Sequence, residues 1–283
     1  MSKLLIINAD DFGISLATNK AIEELFKVGK ITSTSLLANA EFAKEAMTIA
    51  RDNAFKVGVH LTLNSDFAER PWRSLSASAS LSDADGNLLS DTQMLAKQAQ
   101  SREVTEECVA QIEKIIASGA KIDHIDNHCG TMYGINGRLF FLNAFRLARR
   151  YSLPFRFPKR NDFLKSYFEN GIPQAVKVAH KAVNVIARLM RVKLIGNMIS
   201  NPYKIADIPS YLALEQYYAG ALRALPDGIT EMFLHPSYSC PIFSALTPEW
   251  KKREWELEFL HSKTLENVLN NENIRLVSYQ AVQ

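Results

Sequence analysis

The residues with the strongest chemical signal lie at positions 8–13, which read Asn-Ala-Asp-Asp-Phe-Gly. They follow the apolar run 4–7, which is too short for a helix and predicts a buried strand that opens into a loop. Adjacent carboxylates, Asp10 and Asp11, are costly there, because each disfavours ionisation of the other and both lose water. A divalent cation would remove that cost, as would a shared proton or an arginine partner. The alternative is a helix N-cap, in which Ser15 caps the following helix and Asp11 bonds its backbone N–H groups.

A second group of polar residues lies in and just after a predicted strand. His124, Asp126 and His128 are spaced by two, so an extended chain points all three to one face. Three ionisable groups on one inward face are poor filler for an apolar core. His60 alone would be read as an ordinary core or surface residue. Beside Asp11 and His128, it completes a set of two histidines and one carboxylate, which leaves open positions for water and substrate, as hydrolytic and redox metal sites require.

Two further residues could act beside this set. His235 could be a ligand, a general acid or a helix-capping residue, and its place after a later strand suits a proton donor across the site. Arg156 could pair with a surface carboxylate, or it could hold a catalytic aspartate ionised and oriented. Cys129 is a weaker alternative ligand, whereas His180 and His261 are read as ordinary core or surface residues. The sequence contains no P-loop, no serine nucleophile elbow and no Rossmann glycine pattern.

Alternating strands and helices must position these residues. The hydrophobic pattern predicts strands at 4–7, 34–38, 56–63, 121–127, 154–157, 203–208, 229–234 and 274–279. It predicts helices at 17–28, 41–53, 102–118, 138–151, 212–224 and 248–270. Strands separated by helices pair in parallel, which leaves a barrel or a doubly wound open sheet at this length. Because a barrel brings the C-terminal ends of all its strands to one rim, we predict an α/β fold with an irregular (β/α) TIM-like barrel of about seven to eight parallel strands.

Two segments interrupt this rhythm. Residues 64–91 are rich in Ser, Ala and Asp and form either a flexible excursion or a loop that covers a site. Residues 163–200 predict a largely helical insertion that is basic on one side. A solvated face or a subunit contact is favoured there over binding of anions or lipid head groups. No linker separates these parts, so we expect one domain over residues 1–283, with the insertion as a lid or subunit interface.

Composition narrows the function classes. The 283 residues are 47% apolar, and 33 basic residues nearly balance 30 acidic ones, so no overall charge favours nucleic acid or membrane as a partner. Three irregularly spaced cysteines predict no disulfide framework and fit a reducing compartment. The first strand begins directly after residues 1–3, and no apolar run has the length of a membrane span. We therefore expect a cytoplasmic protein.

Five motifs, taken together, resemble the YdjC-like carbohydrate deacetylases, a family that includes the chitooligosaccharide deacetylases. They occur in order at 8–13 (Asn-Ala-Asp-Asp-Phe-Gly), 58–63 (Gly-Val-His-Leu-Thr-Leu), 80–86 (Ser-Leu-Ser-Asp-Ala-Asp-Gly), 124–128 (His-Ile-Asp-Asn-His) and 233–236 (Phe-Leu-His-Pro). Each motif is weak alone, but the set is specific and spans nearly the whole chain. The resemblance implies an irregular (β/α) barrel, one divalent metal ion (Mg²⁺ or Zn²⁺) and removal of acetyl groups from N-acetylated sugars.

The resemblance also implies roles for particular residues. Asp11, His60 and His128 match the family's metal ligands, Asp10 matches the catalytic base and His235 the acid. Many members carry further histidines after the position of His128. Here residues 129–131 read Cys-Gly-Thr instead, which spares the ligand set but leaves the particular sugar open.

The expected reaction is metal-assisted hydrolysis of an acetamide on a sugar. The metal would polarise the carbonyl and a water, Asp10 would take the water's proton, and His235 would protonate the departing amine, with Arg156 as a further catalytic residue beside Asp10. One alternative is a metal-dependent amidohydrolase or esterase acting on a non-sugar substrate. Another is a non-catalytic sugar-binding protein, although pure binding needs no pair of acid and base. A homodimer is a further expectation.

Overall fold

The computed structural model describes residues 2–134, 137–168 and 170–282. Over these ranges the strands are β1 (Lys3–Phe12), β2 (Ser33–Leu36), β3 (Lys56–Leu61), β4 (Lys121–Asn127), β5 (Phe155–Pro158), β6 (Leu194–Ile195), β7 (Asn197–Ile199), β8 (Gly228–Leu234) and β9 (Arg275–Leu276). The helices are α1 (Leu16–Lys27), α2 (Ala43–Asp52), α3 (Thr92–Gln98), α4 (Ser101–Ala117), α5 (Phe141–Arg150), α6 (Gln174–Leu189), α7 (Tyr211–Arg223), α8 (Pro241–Leu246), α9 (Trp250–His261) and α10 (Lys263–Asn271).

The strands form one parallel sheet that closes on itself. Their order is β6-β5-β4-β3-β2-β1-β8-β7, and β9 adds a short pairing to β1. Strand β6 pairs with β5 and β7 pairs with β8, and only Gly196 separates β6 from β7. One segment thus changes partner at Gly196, where a Cβ atom would lie 2.5 Å from the Ile229 carbonyl oxygen. This close approach joins the two edges, and the predicted α/β fold with an irregular barrel is confirmed.

The predicted position of the sixth strand and the predicted extent of the helical insertion are both wrong. The sequence pattern predicts the sixth strand at 203–208, but that segment holds only a short 3-10 turn, Ile205–Asp207. The strand lies instead at 194–199, inside the stretch predicted as a helical insertion. Helix α6 stops earlier, because Arg191 adopts a left-handed backbone (φ 56°), and the buried Leu194 and Ile195 then enter the sheet. The basic residues around this short apolar run made it resemble a continuing helix.

The C-terminal part also differs from the expected pattern. The single helix predicted at 248–270 is divided into α9 and α10 at Ser262, whose hydroxyl accepts the Leu265 N–H at 3.1 Å. The final strand covers only Arg275–Leu276 and is followed by a 3-10 turn, Tyr279–Ala281. The early helix prediction fares better, since Ser15 does cap α1 by accepting the Thr18 N–H at 2.9 Å.

Alternate residues of β1 face two different surroundings, as a strand requires. Leu5 and Ile7 join the main hydrophobic core between the barrel and its helices. Ile6 faces the barrel interior and packs in a separate cluster with Tyr279. Asp10 continues this inner row at the mouth. The interior therefore holds an apolar cluster near its floor, whereas the buried polar residues of β1 lie toward its C-terminal end.

The segment 64–91 is an ordered loop anchored on α4. Its anchor is Glu107, a fully buried carboxylate that accepts hydrogen bonds from the Ser74 hydroxyl (2.7 Å) and from the backbone N–H groups of Leu75 and Ser76 (both 2.9 Å). Trp72 of the same loop is buried, with its ring 5.6 Å from that of His128. Of the two expectations for this segment, the covering loop is the one observed.

Across the described ranges, the structure contains no helix that is both long and apolar enough to cross a membrane.

Candidate active site

The site begins at an irregularity near the end of β1. Ala9 pairs with Thr34 but Phe12 pairs with Leu36, so β1 contains one more residue than β2 over this stretch, which is a β-bulge. Within it Asp11 has a left-handed backbone (φ 66°), an uncommon conformation for a residue with a Cβ atom. A regular strand would turn consecutive side chains to opposite faces. The bulge instead lets the buried carboxylates of both Asp10 and Asp11 reach the barrel mouth.

Asp11 faces two histidines from neighbouring strands. Its Oδ1 lies 3.4 Å from His60 Nε2 and 3.3 Å from His128 Nδ1, and one donor atom from each residue falls within 4.8 Å of the others. All three residues are buried. Asp11 Oδ1 nevertheless has no hydrogen-bond partner among the described residues. A buried carboxylate oxygen without a partner, facing two imidazole nitrogens, fits the ligand set of a divalent metal ion.

The far side of each imidazole is held by a second carboxylate. His60 Nδ1 lies 2.7 Å from Asp126 Oδ1, and His128 Nε2 lies 2.6 Å from Asp66 Oδ1. Such contacts fix the ring orientation and make the opposite nitrogen a better metal ligand. Asp66 comes from the covering loop, and sequence reasoning missed it because one aspartate in an Asp-rich loop carries no distinguishing pattern.

Opposite charges keep this buried cluster ionised. Burial alone would raise the pKa of Asp11, but the Arg253 charge and the adjacent imidazoles of His128 and His60 hold it well below its usual range. Burial would lower the pKa of His60, but the charges of Asp126 and Asp10 and the adjacent Asp11 carboxylate raise it to about 10. The site thus holds positive charge close to Asp11. A bound cation would take the place of the protons on His60 and His128, because imidazole binds a metal in its neutral form.

Asp10 is held by Arg156 in a bidentate pair. Arg156 Nη1 donates to Asp10 Oδ2 at 2.7 Å and Nη2 donates to Oδ1 at 2.8 Å, and both side chains are only 3% exposed. Asn8 Nδ2 donates to Oδ1 at 2.7 Å. Of the two readings of Arg156, the contact with a buried aspartate is therefore the one observed, and the contact with a surface carboxylate is wrong. Two parallel hydrogen bonds fix both the position and the plane of the Asp10 carboxylate.

His235 lies across the mouth from the histidine–Asp11 cluster. Its Nε2 is 3.9 Å from Asp10 Oδ2, and the same oxygen is 4.0 Å from His60 Nε2. Its side chain is 35% exposed, in contrast to the buried ligand candidates. The groupings of described residues that could hold a metal do not include His235. Asp10 Oδ2 therefore lies between the candidate ligands and an accessible imidazole.

Helix α9 contributes two residues that sequence reasoning missed. Arg253 Nη2 donates to Asp11 Oδ2 at 2.6 Å. Glu256 accepts the His235 backbone N–H at 2.7 Å. Both looked like members of a solvated, charged helix face. A usable signal was present, because Arg253 shares the i, i+3, i+7 stripe of the buried Trp250 and Leu257.

Glu256 is a buried carboxylate whose charge is well stabilised. Burial would raise its pKa, but interactions with His235 and Lys252 lower it to about 2. The Tyr218 hydroxyl also donates to it at 2.7 Å. Its Oε2 lies 3.8 Å from His235 Nδ1, so the two ring nitrogens of His235 face different carboxylates.

Cys129, the weaker ligand candidate, lies at the edge of the site. It is exposed and left-handed (φ 51°), and its Sγ is 3.7 Å from Asp66 Oδ1. Cys129, Asp66 and His128 form a second cluster of side chains close enough to hold a metal ion, and this cluster does not include Asp11.

A (β/α) barrel with a histidine–carboxylate cluster at the C-terminal ends of its strands is the setting typical of barrel enzymes. The model of the YdjC-like protein family matches residues 4–271. The chain belongs to this family.

Several curated relatives and a solved structure are similar to this chain. A carbohydrate deacetylase of Thermoanaerobacter pseudethanolicus is 26% identical over 285 residues, covering 99% of this chain and 100% of that protein. A carbohydrate deacetylase of Enterococcus faecalis is 38% identical over 170 residues, covering 59% of this chain and 63% of the relative. A crystal structure from Enterococcus faecalis, of a protein named as a candidate for cellobiose-phosphate cleavage, has a TM-score of 0.77 at 27% identity and covers 99% of this chain and 98% of its own.

Proposed function

We propose that this protein is a metal-dependent hydrolase that removes acetyl groups from N-acetylated sugars. The observation that carries the proposal is the unpartnered Asp11 Oδ1, which faces His60 and His128 beside an Asp10 held by Arg156. A carboxylate that is fixed but does not belong to the ligand set is what a hydrolase needs as a base. The family relatives named as carbohydrate deacetylases support a sugar as the substrate.

Asp11, His60 and His128 would hold one divalent ion, Mg²⁺ or Zn²⁺. Two imidazoles and one carboxylate leave coordination positions open, and imidazole nitrogen favours Zn²⁺ over Mg²⁺. When bound, the ion would polarise the acetyl carbonyl and lower the pKa of a water molecule.

Asp10 would act as the general base. Its Oδ2 would accept a proton from the water that attacks the acetyl carbon. Arg156 holds both oxygens of this carboxylate, so the base needs little reorganisation as the reaction proceeds.

His235 would act as the general acid. When the C–N bond breaks, acetate leaves with the oxygen of the water, and the sugar amine takes a proton from His235 Nε2. The ring suits this role because it is partly exposed and its Nε2 faces Asp10. Glu256 fixes the backbone of His235 by accepting its N–H.

The test is an acetate-release screen with metal-depleted protein reconstituted with Zn²⁺ or Mg²⁺. The substrates are N-acetylglucosamine, its short oligomers and their 6-phosphates, with N-acetyl amino acids and aryl acetates as non-sugar controls. We expect release from at least one sugar, dependent on the added metal. Release from the non-sugar compounds alone would replace the proposal with a general amidohydrolase or esterase. Sugar binding without release would point to a non-catalytic binding protein.

A further inference from the structure

The C-terminal end of the chain closes the floor of the barrel beneath Asp10. The Val277 N–H donates to the Leu5 carbonyl at 2.9 Å, which ties this segment to β1. Two residues later Tyr279 is 1% exposed and enters the barrel interior, where its ring stacks on His124 with centroids 3.6 Å apart and planes 4° apart.

The stacking depends on space that the sequence provides. A Cβ atom at Gly58 would lie 2.2 Å from His124 Nε2, so only glycine at that position admits the imidazole. On its other edge, His124 Nδ1 lies 2.7 Å from Asp123 Oδ1. His124 is thereby fixed, and it fixes the plane of the Tyr279 ring and the direction of its hydroxyl.

The hydroxyl reaches a buried carboxylate that also contacts Arg156. Tyr279 Oη donates to Glu231 Oε2. Glu231 Oε1 accepts from Arg156 Nε at 2.8 Å. The two terminal nitrogens of Arg156 hold Asp10, so an uninterrupted series of hydrogen bonds runs from the C-terminal turn to the proposed base.

Arg156 is shared among several carboxylates, and its position depends on their balance. Besides Asp10 and Glu231, Asp126 Oδ2 lies 2.8 Å from Arg156 Nη2. Burial raises the pKa of Glu231 although the Arg156 charge opposes this. Without the tyrosine hydroxyl, one buried oxygen of Glu231 would lose its donor and would compete for Arg156.

We propose that Tyr279 is a positioning residue for Asp10, acting through Glu231 and Arg156. The proposal rests on the proposed function in one respect, namely that Asp10 is the base. The positioning role of Tyr279 is distinct from its packing role at the barrel floor. The ring supplies the packing, and the hydroxyl alone supplies the link to Glu231.

Tyr279→Phe tests this distinction, since it keeps the ring on His124 and removes only the hydroxyl. We expect kcat for acetate release to fall about 10- to 100-fold, as for a small misplacement of a catalytic group, with KM unchanged. The matched control is Tyr217→Phe, which removes a hydroxyl that donates to the Ser200 carbonyl at 2.7 Å. Both variants should retain the wild-type metal content and melt within a few degrees of each other. An unchanged kcat in Tyr279→Phe, or an equal fall in the control, would overturn the proposal.

A double-mutant cycle with Glu231→Gln tests the route. If Tyr279 acts through Glu231, the double variant should lose no more kcat than Glu231→Gln alone. Losses that multiply would mean that the hydroxyl acts independently of Glu231.

A crystal structure of Tyr279→Phe separates this inference from the proposed function. If the wild-type protein releases no acetate from any sugar in the screen, the proposed function fails while the structural link can still be examined. Arg156 displaced from Asp10 in the variant supports the positioning role. Arg156 still holding both Asp10 oxygens at 2.7 and 2.8 Å overturns it.

Discussion

The barrel mouth and helix α6 are both rich in charge, yet their charges lie in opposite surroundings. At the mouth, Asp10, Asp11 and Arg156 are almost wholly buried, and each aspartate contacts an arginine directly, Asp10 with Arg156 and Asp11 with Arg253. On α6, Lys177 and Lys181 are exposed, and the buried residue of that turn is His180, whose Nε2 lies 2.9 Å from the Pro158 carbonyl oxygen. Several buried charges gathered at the mouth of a barrel, despite their desolvation cost, make that region the candidate for chemistry, whereas charge that remains in water can be explained by solvation alone.

The largest expected effect comes from removing one candidate ligand at the mouth. His128→Ala should abolish stoichiometric binding of Zn²⁺ or Mg²⁺, because Asp11 and His60 alone leave too few donors for a tight site. Metal content after dialysis measures this directly. His261→Ala, outside the site, is the control and should keep the wild-type metal content. Wild-type occupancy in His128→Ala would show that the ligand assignment is wrong.

The next prediction separates the two adjacent aspartates. Asp10→Asn preserves the shape but removes the proposed base, so the metal should remain while kcat falls roughly 10²–10⁴-fold, the range typical of general acid–base catalysis. Asp11→Asn should instead weaken metal binding, and excess metal should partly restore activity.

Metal content plotted against kcat decides between these roles. Loss of metal in Asp10→Asn together with full metal in Asp11→Asn would reverse the assignment. The comparison of metal content with kcat is needed because the β-bulge brings both carboxylates to the barrel mouth. Their location alone therefore does not show which one is the metal ligand and which one is the base.

A smaller effect is expected from the anchor of the covering loop. Glu107→Gln should destabilise the protein by about 2–3 kcal/mol at neutral pH, since a buried carboxylate accepting several hydrogen bonds loses its charge. Although burial acts in the opposite direction, hydrogen bonds from Gln111, Asn39 and the loop serines lower the pKa of Glu107. Its stabilisation is therefore present above the unfolded pKa and is lost as pH falls through the folded one.

Chemical denaturation of both proteins across pH measures this effect. The gap between wild type and Glu107→Gln should be full at pH 7 and shrink below about pH 4. A gap that stays constant to pH 2.5 would mean that the charge of Glu107 does not anchor the loop. Because the loop carries Asp66, Glu107→Gln should also weaken metal binding modestly.

The sequence predicts the mouth better than it predicts the parts that support it. Asp10, Asp11, His60 and His128 lie at or just after the C-terminal ends of buried strands, and the convergence of parallel strands at one rim is a general property of barrels. Asp66, Glu231, Arg253 and Tyr279 were not predicted, because their partners lie far away in sequence. The local hydrophobic periodicity of a sequence carries no information about such long-range contacts.

The closing strand shows a different limit of sequence reasoning. Only two residues of β6 pair with β5 before Gly196 moves the chain to β8, which is too short for a period of two to emerge. Flanking basic residues and the preceding helix dominate the pattern, which therefore predicts the strand at 203–208 instead. His235 has a clearer signal in the sequence, since it follows a full strand of seven residues.

The smallest effect on catalysis is expected from α6, whose role as a lid or subunit interface remains a prediction. Deleting residues 163–200 is not a clean test, because it would also remove the strand pair that closes the barrel. Replacing the exposed Val185 and Leu189 with aspartate leaves those strands intact. A subunit interface predicts a lower mass by light scattering, and a lid predicts a higher KM, with kcat within about twofold of wild type in either case. Lys44→Ala, an exposed change on α2, is the control. Unchanged mass and KM would show that α6 is a solvated helix with neither role. The charges of α6 would then be explained by solvation alone, unlike those of the barrel mouth.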